Sequence, residues 1–326
     1  KPSSAASDVY KRQNIHYEIK PNNIKIKFDE QIDVKINKTL ANYLKQVKEQ
    51  ISSVNIVTQW DNIKKYTNPY EYIHTPVPSY KFSVSRMKPL SRSFFKMIEI
   101  YNLFKFGDLY KKKSINTFHL AEGPGGFIEA FVFLRKNILD TYRGMTLIDD
   151  NINVPGWKKA ESFLRSHPNV KLETGADGTG NLYKTENLKY CMKKYQNSME
   201  FITADGGFDF SVDFNKQELM AFRLIFSQIA FAITMQKKGG CFVLKVFDIF
   251  LQSTVELIYF LCCFYEQVYI IKPHTSRHAN SEKYIVCKGF KHRDTKEISK
   301  KFICLLYTSD AADEGLGVDL GGRRII

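Results

Sequence analysis

The chain has 326 residues, 44% hydrophobic, 14% aromatic and 25% charged, a balance that excludes a disordered or collagen-like chain. Forty-eight Lys and Arg against 34 Asp and Glu give a formal charge of +14, which suits a polyanionic partner such as RNA. Lys, Asn, Ile, Phe and Tyr are all abundant, as translation of an AT-rich genome produces, so charge alone does not decide the partner. The longest charge-free apolar run, Leu257 to Tyr265, falls well short of the roughly 20 residues a membrane-spanning helix needs. KPSSAASDVYKRQ, at the start, has no apolar centre for a signal peptide. The expectation is an intracellular protein without a transmembrane helix.

In chain order, the ends read as foreign. SSAASDVYKRQ (Ser3 to Gln13) and CLLYTSDAADE (Cys304 to Glu314) resemble the two strands of one sequencing adapter, and VDLGGRRII (Val318 to Ile326) resembles the primer that follows it. Residues 1–13 and 304–326 are therefore expected to pack on nothing, which leaves Asn14 to Ile303 as the fragment that folds. The two ends hold five charges of each sign, so the fragment keeps the +14. Residues 14–89 read as an N-terminal extension. IKIKF (Ile24 to Phe28) alternates like a half-buried strand, Lys38 to Ile51 places Leu40, Tyr43, Leu44, Val47 and Ile51 at helical spacing, and Tyr66 to Tyr80 is an irregular connector with three prolines.

Residues 90–303 alternate short apolar runs with helical patterns, the order of a parallel sheet with crossover helices. The strands fall at Thr117 to Ala121, Gly144 to Ile148, Val170 to Leu172, Glu200 to Ala204, Cys241 to Phe247, Gln267 to Ile271 and Lys283 to Lys288. Helices fall at Gly126 to Ile138, Trp157 to Arg165, Thr185 to Tyr195, Lys216 to Gln236 and Ser253 to Tyr265. Lys237, Lys238, Gly239 and Gly240 read as the cationic last turn and glycine stop of the longest helix. Cys191, Cys241, Cys262, Cys263 and Cys287 are odd in number and lack CxxC or Cys/His spacing, so reduced core thiols are expected, without a metal site.

HLAEGPGGFIEAF (His119 to Phe131) sits where a strand hands over to a helix. Its glycines let backbone approach a ligand, and the helix start offers unpaired N–H groups. It lacks the GxGxxG of dinucleotide folds and the GK[ST] of a phosphate loop. A purely structural turn is the bland alternative.

AEGPGGF resembles the methyl-donor loop of the FtsJ-type ribose 2′-O-methyltransferases. Three further segments follow the family's order: SRSFFKMIEI (Ser91 to Ile100), ITADGGFDFS (Ile202 to Ser211) and GGCFVLKVFDIF (Gly239 to Phe250). A fourth, KPHTSRHANSEKYIVCKGFK (Lys272 to Lys291), is similar to the version in eukaryotic and viral mRNA cap methyltransferases. The resemblance implies a Rossmann-like α/β fold with a seven-stranded, mostly parallel sheet and helices on both faces. It implies S-adenosylmethionine as cofactor and RNA, particularly capped mRNA, as partner. A large DNA virus is the implied source, with the host cytoplasm or the virion as its location. A ribosomal or transfer RNA enzyme is the runner-up, and a silent RNA-binding capping subunit is the reading from another class.

The family's Lys-Asp-Lys-Glu tetrad maps onto Lys96, Asp205, Lys245 and Glu282. A ribose hydroxyl needs its proton removed, and a lysine, ordinarily titrating at about 10.4, can do this only when neutral. Lys245 is the implied base. It interrupts CFVLKVF, where an unpaired lysine is costly, whereas Lys96 could be a solvated helix residue and Glu282 a solvated strand start. For the donor, the resemblance implies Ser91, the loop Glu122, Gly123, Pro124, Gly125, Gly126 and Phe127, and Asp205. It adds Asp149, with Asp150 an equal rival, for the donor ribose, and Asp177 with Gly178 for the adenine edge. The family often has Asp where this chain has His119. For RNA it implies Arg92, Asn215, Arg277 and Asn280, whose bland alternative is loop capping.

Overall fold

The computed structural model describes residues 35–52, 63, 65–111, 113–149, 154, 156–207 and 216–316. The expected strand at Ile24 to Phe28, and also Asp150 and Asn215, lie outside them. The elements, in order, are α1 (Lys38–Ser52), α2 (Ser93–Leu103), α3 (Phe106–Tyr110), β1 (Asn116–Leu120), α4 (Gly126–Arg135), β2 (Thr141–Met145), α5 (Glu161–Ser166) and β3 (Val170–Leu172). They continue as α6 (Thr185–Tyr195), β4 (Met199–Ala204), α7 (Gln217–Met235), β5 (Gln236–Val246), α8 (Gln252–Phe264), β6 (Tyr265–Ile271), β7 (Lys283–Phe290) and α9 (Lys296–Leu316). One sheet of order β3-β2-β1-β4-β5-β7-β6 carries them. Only β7 runs antiparallel to its neighbours, as the expected mostly parallel α/β sheet requires.

Two apolar clusters flank the sheet. One holds α7, α8 and α9 against strand residues such as Phe242 and Leu244. The other holds α2, α3 and α4 against Phe201, Val243 and Tyr284. Adjacent strand residues point to opposite faces, so Phe242 and Val243 serve different clusters. Helix α7, apolar over more residues than the Leu257 to Tyr265 run, is long enough to cross a membrane by composition, yet 83% of that window is buried inside the fold. It is the core helix of the sheet's second face.

Several expected boundaries move. Strand β2 begins at Thr141 rather than Gly144, and Leu147 and Ile148 are exposed. Lys237 to Gly240 do not end α7. They belong to β5, which starts at Gln236 because that side chain donates to Met199 O (2.8 Å) and accepts from the Tyr265 hydroxyl (3.0 Å). The extra residues form a bulge between Met199↔Gln236 and Phe201↔Cys241, with Gly239 at φ +79°. Cys262, expected in the core, is exposed, while its neighbour Cys263 is buried. Consecutive helix positions lie about 100° apart, so an adjacent pair cannot both face inward.

The expectation that nothing from residue 304 onward packs is also corrected. Helix α9 runs through that point, and Leu305 and Leu306 are buried in the α7–α8 cluster. They continue the apolar stripe of Ile298 and Phe302, whose ring meets Phe226 and Phe260 at 5.8 Å each. Leu306→Ala should therefore destabilise the chain by about 2–5 kcal/mol, and a chain ending at Ile303 should lose the burial of both leucines. Urea midpoints measure this; coincident curves would show that the pair contributes nothing.

Candidate active site

The sheet order reverses between β1 and β4, the position where open α/β sheets leave a crevice at their carboxyl ends. Strand β1 turns into α4 through Ala121 to Gly125. Ala121 (φ +50°) and Gly125 (φ +112°) are left-handed, a conformation costing an alanine about 1–2 kcal/mol. Gly123 has no space for a Cβ, which would stand 2.6 Å from Gly156 O. The Glu122 carboxylate turns back beneath the helix and its Oε1 accepts from Phe127 N (2.7 Å) and Ile128 N (3.0 Å). The helix N–H groups expected to meet a ligand are thus taken by this acid. Burial raises the Glu122 pKa well above 4.5, with the amide bonds from Ile128 and Phe127 opposing it. His119 lies inside the sheet between the Thr117 and Thr203 hydroxyls, at 2.8 Å from each, and burial lowers its pKa to about 3.

The four tetrad residues come together. Lys96, on α2, pairs with Glu282 at 2.7 Å, and Lys245, on β5, donates to Asp205 O (2.7 Å) with Asp205 Oδ1 at 3.3 Å. Their side chains are only 8–15% exposed. Burial alone would raise the Glu282 pKa, but Lys96 and Lys245 with the Ser276 hydroxyl outweigh it and lower the value to about 2. A residue missed in the sequence joins the two pairs. Tyr284, fully buried on β7, donates its hydroxyl to Asp205 Oδ1 (2.8 Å) and receives Lys96 Nζ at 3.5 Å. Antiparallel register sets Tyr284 opposite Lys245, and the period of two put it on the face of Glu282. Gly207 keeps Lys245 free, since a Cβ there would stand 3.0 Å from Nζ.

Helix α2 aligns Arg92, Lys96 and Glu99. The Glu99 carboxylate accepts from His274 N (2.7 Å), Thr275 N (3.0 Å) and the Thr275 hydroxyl (2.9 Å), holding the β6–β7 connection. Arg277 grips Glu71 with two bonds of 2.6 and 2.9 Å, and Arg92 lies 3.7 Å from the same carboxylate. Burial by itself would raise the Glu71 pKa; Arg277, Arg92 and the Thr75 hydroxyl together bring it down to about 2. Asn280 accepts from Lys272 through both its carbonyl (2.7 Å) and its side chain (2.9 Å). Glu71, Glu99 and Lys272 were missed in the sequence, where single charges in loops and helices carry no periodic signal.

A cleft of about 630 Å³ opens on these groups. Its wall includes Ser91, Arg92, Glu122, Gly123, Pro124 and the whole tetrad. Gly125, Gly126 and Phe127 stand outside that wall. A Cβ on Gly126 would collide with the Ser91 and Ser93 hydroxyls, and the buried Phe127 ring packs 6.0 Å from Tyr284. Asp177 and Gly178 are exposed off the wall, and the Asp177 carboxylate holds its own loop through Thr179 N (2.9 Å) and Asn187 Nδ2 (2.9 Å). Asp149, also exposed, is not on the wall either; Gly180, Asn181 and Tyr183 line that side.

A cleft at the strand ends of a Rossmann-like sheet, with paired lysines and acids on its wall, is where open α/β sheets hold a ligand. A model described as FtsJ-like methyltransferase matches residues 89–290, and the chain belongs to that family. It is 36% identical over 196 residues to cap-specific mRNA (nucleoside-2′-O-)-methyltransferase 1 of Mus musculus, covering 56% of this chain and 23% of that protein. The Trypanosoma brucei brucei protein of the same name is 32% identical over 198 residues, covering 59% and 52%. Cap-specific mRNA (nucleoside-2′-O-)-methyltransferase 2 of Danio rerio is 30% identical over 311 residues, covering 88% and 39%. The chain thus spans between 23% and 52% of the lengths of these relatives.

The cleft fits S-adenosylmethionine, the family's methyl donor. Glu122 Oε2 is buried and finds no hydrogen-bond partner among the described residues. An acceptor of this kind on the wall suits a ligand carrying an ammonium and a sulfonium.

Two outcomes follow from the charges. Tyr284→Phe should keep the sheet but leave Asp205 without its phenol donor, lowering stability by about 1–3 kcal/mol; an unchanged urea midpoint would show that Asp205 does not depend on that bond. The folded pKa values of Glu71 and Glu282, about 2, lie below the ordinary 4.5, so their stabilisation is present above pH 4.5 and lost as pH falls towards 2. Glu71→Gln should flatten that part of a stability–pH curve.

Proposed function

We propose that the chain transfers a methyl group from S-adenosylmethionine to a ribose 2′-hydroxyl of RNA, at a nucleotide next to the 5′ cap of mRNA. The observation that carries the reading is the continuous chain from Glu282 through Lys96, Tyr284 and Asp205 to Lys245 on the wall of the cleft that also holds the glycine turn. The cap-proximal choice is supported by the names of the relatives above and by the Lys272 to Lys291 segment.

S-adenosylmethionine supplies, when bound, a methyl carbon activated by its sulfonium. The chain's own residues then have three tasks. Lys245 Nζ, once neutral, would accept the 2′-hydroxyl proton as that oxygen takes up the methyl group the donor would supply, the donor retaining the electron pair as a neutral thioether. Asp205 fixes Lys245, and Tyr284 fixes Asp205. Lys96, held by Glu282, adds a second positive charge beside the oxygen that becomes negative.

Lys245→Arg keeps the charge but cannot deprotonate at accessible pH, while Lys245→Ala removes both. Each should lose methyl transfer by at least about 100-fold with donor affinity retained. Single-turnover transfer to capped and uncapped RNA, with mapping of the modified nucleotide, tests the reading. Near-normal transfer by Lys245→Arg would withdraw the base assignment, and labelling confined to uncapped or ribosomal RNA would withdraw the cap-proximal choice.

A further inference from the structure

Close to Arg92, which lines the cleft, lies a pair of rings outside the tetrad network. Tyr70, 39% exposed, meets the exposed His274 at 5.6 Å between ring centroids. Neither ring contributes to an apolar core cluster, yet both backbones are held with unusual firmness. Tyr70 precedes the fully buried Glu71, locked by Arg277 and Arg92. His274 has its N–H on Glu99. Both anchors lead to α2, one helical turn either side of Lys96. The fully buried Glu71 carboxylate is held by two guanidinium partners whose attraction outweighs its desolvation. Its physical yield is fixed geometry: a Tyr–His surface set at one orientation relative to Lys96, beside the positive charges of Arg92 and Arg277.

From this geometry we infer that Tyr70 and His274 form a stacking platform for a base of the RNA neighbouring the reacting nucleotide, with Glu71 as its mount. This rests on the reading above that RNA is the substrate. Stacking on aromatic rings is how single-stranded RNA is held without a sequence code, and each stacked base typically contributes about 1–3 kcal/mol. Both rings reach the surface, and two guanidinium groups against the single Glu71 carboxylate leave a net positive charge that suits a backbone phosphate. The N-terminal segment then supplies part of the substrate site, beyond the residues 89–290 matched by the family.

The test uses the full chain and a short capped RNA carrying 2-aminopurine at the second nucleotide, whose fluorescence is quenched on stacking. The unsubstituted chain should quench it. Tyr70→Ala and His274→Ala should each weaken RNA binding by about 10-fold, at the lower end of a lost stacked base, and relieve the quenching, with donor affinity and thermal midpoint unchanged. Tyr70→Phe and Tyr70→Trp, which keep a ring, should bind as the unsubstituted chain does. The platform is overturned if both alanine variants bind and quench normally, if Tyr70→Phe loses as much as Tyr70→Ala, or if the unsubstituted chain binds RNA without quenching. Binding and quenching as expected, but without methyl transfer to a 2′-oxygen, would support the platform while refuting the proposed reaction.

Discussion

Two ammonium groups and two carboxylates occupy a nearly dry wall of the cleft, and each is tolerable there only because of the others. An isolated charge at such a site would neutralise or unfold its surroundings. Here Lys96 balances Glu282, Lys245 balances Asp205, and the Tyr284 hydroxyl ties the pairs into one network. Elements from every part of the fold converge on this arrangement: α2 brings Lys96, the end of β4 brings Asp205, β5 brings Lys245, and the start of β7 brings Glu282 and Tyr284. The same network keeps α2 in place, and α2 in turn holds the β6–β7 connection through Glu99.

How much of this could be read from the residues depended on whether each residue violated its local pattern. Lys245 was legible because a lysine inside CFVLKVF contradicts a buried strand. Tyr284 was not, because a tyrosine in a strand reads as core and gives no hint that its hydroxyl is needed. Seven strands and their mostly parallel order were legible from apolar runs. Boundaries failed where a polar residue had a hidden partner: Arg143 sits within β2 because its guanidinium lies over the Tyr195 ring at 5.1 Å, and Gln236 opens β5 because of its bonds to Met199 and Tyr265. Leu147, placed in a strand by its apolarity, instead lines the cleft.

The glycine turn was legible in position but not in its division of labour. Half of the glycine turn faces the cleft and half faces the protein, since Gly126 makes room for two serines and Phe127 supports Tyr284. Glu122 connects the two halves by capping α4 with one oxygen, while the other has no hydrogen-bond partner among the described residues. The acids at Asp177 and Asn280's amide were assigned to ligands on resemblance, and both hold turns. Local loop geometry leaves no trace in a single sequence unless its partner residues are already known.

The antiparallel pairing of β7 with β5 links the tetrad to folding fidelity. Tyr284 and Lys245 are direct partners in that register, and side chains alternate faces along a strand. A hairpin of β6 and β7 docked one residue out of register would still bury apolar surface, because Tyr284, Ile285, Val286 and Cys287 put apolar side chains on both faces of the sheet. It would turn Tyr284 and Glu282 to the opposite side of the sheet, leaving Lys96 without its counter-charge and Asp205 without its phenol donor. The tetrad thus acts as an internal proofreader of strand alignment, penalising a slip that the apolar core by itself would scarcely detect.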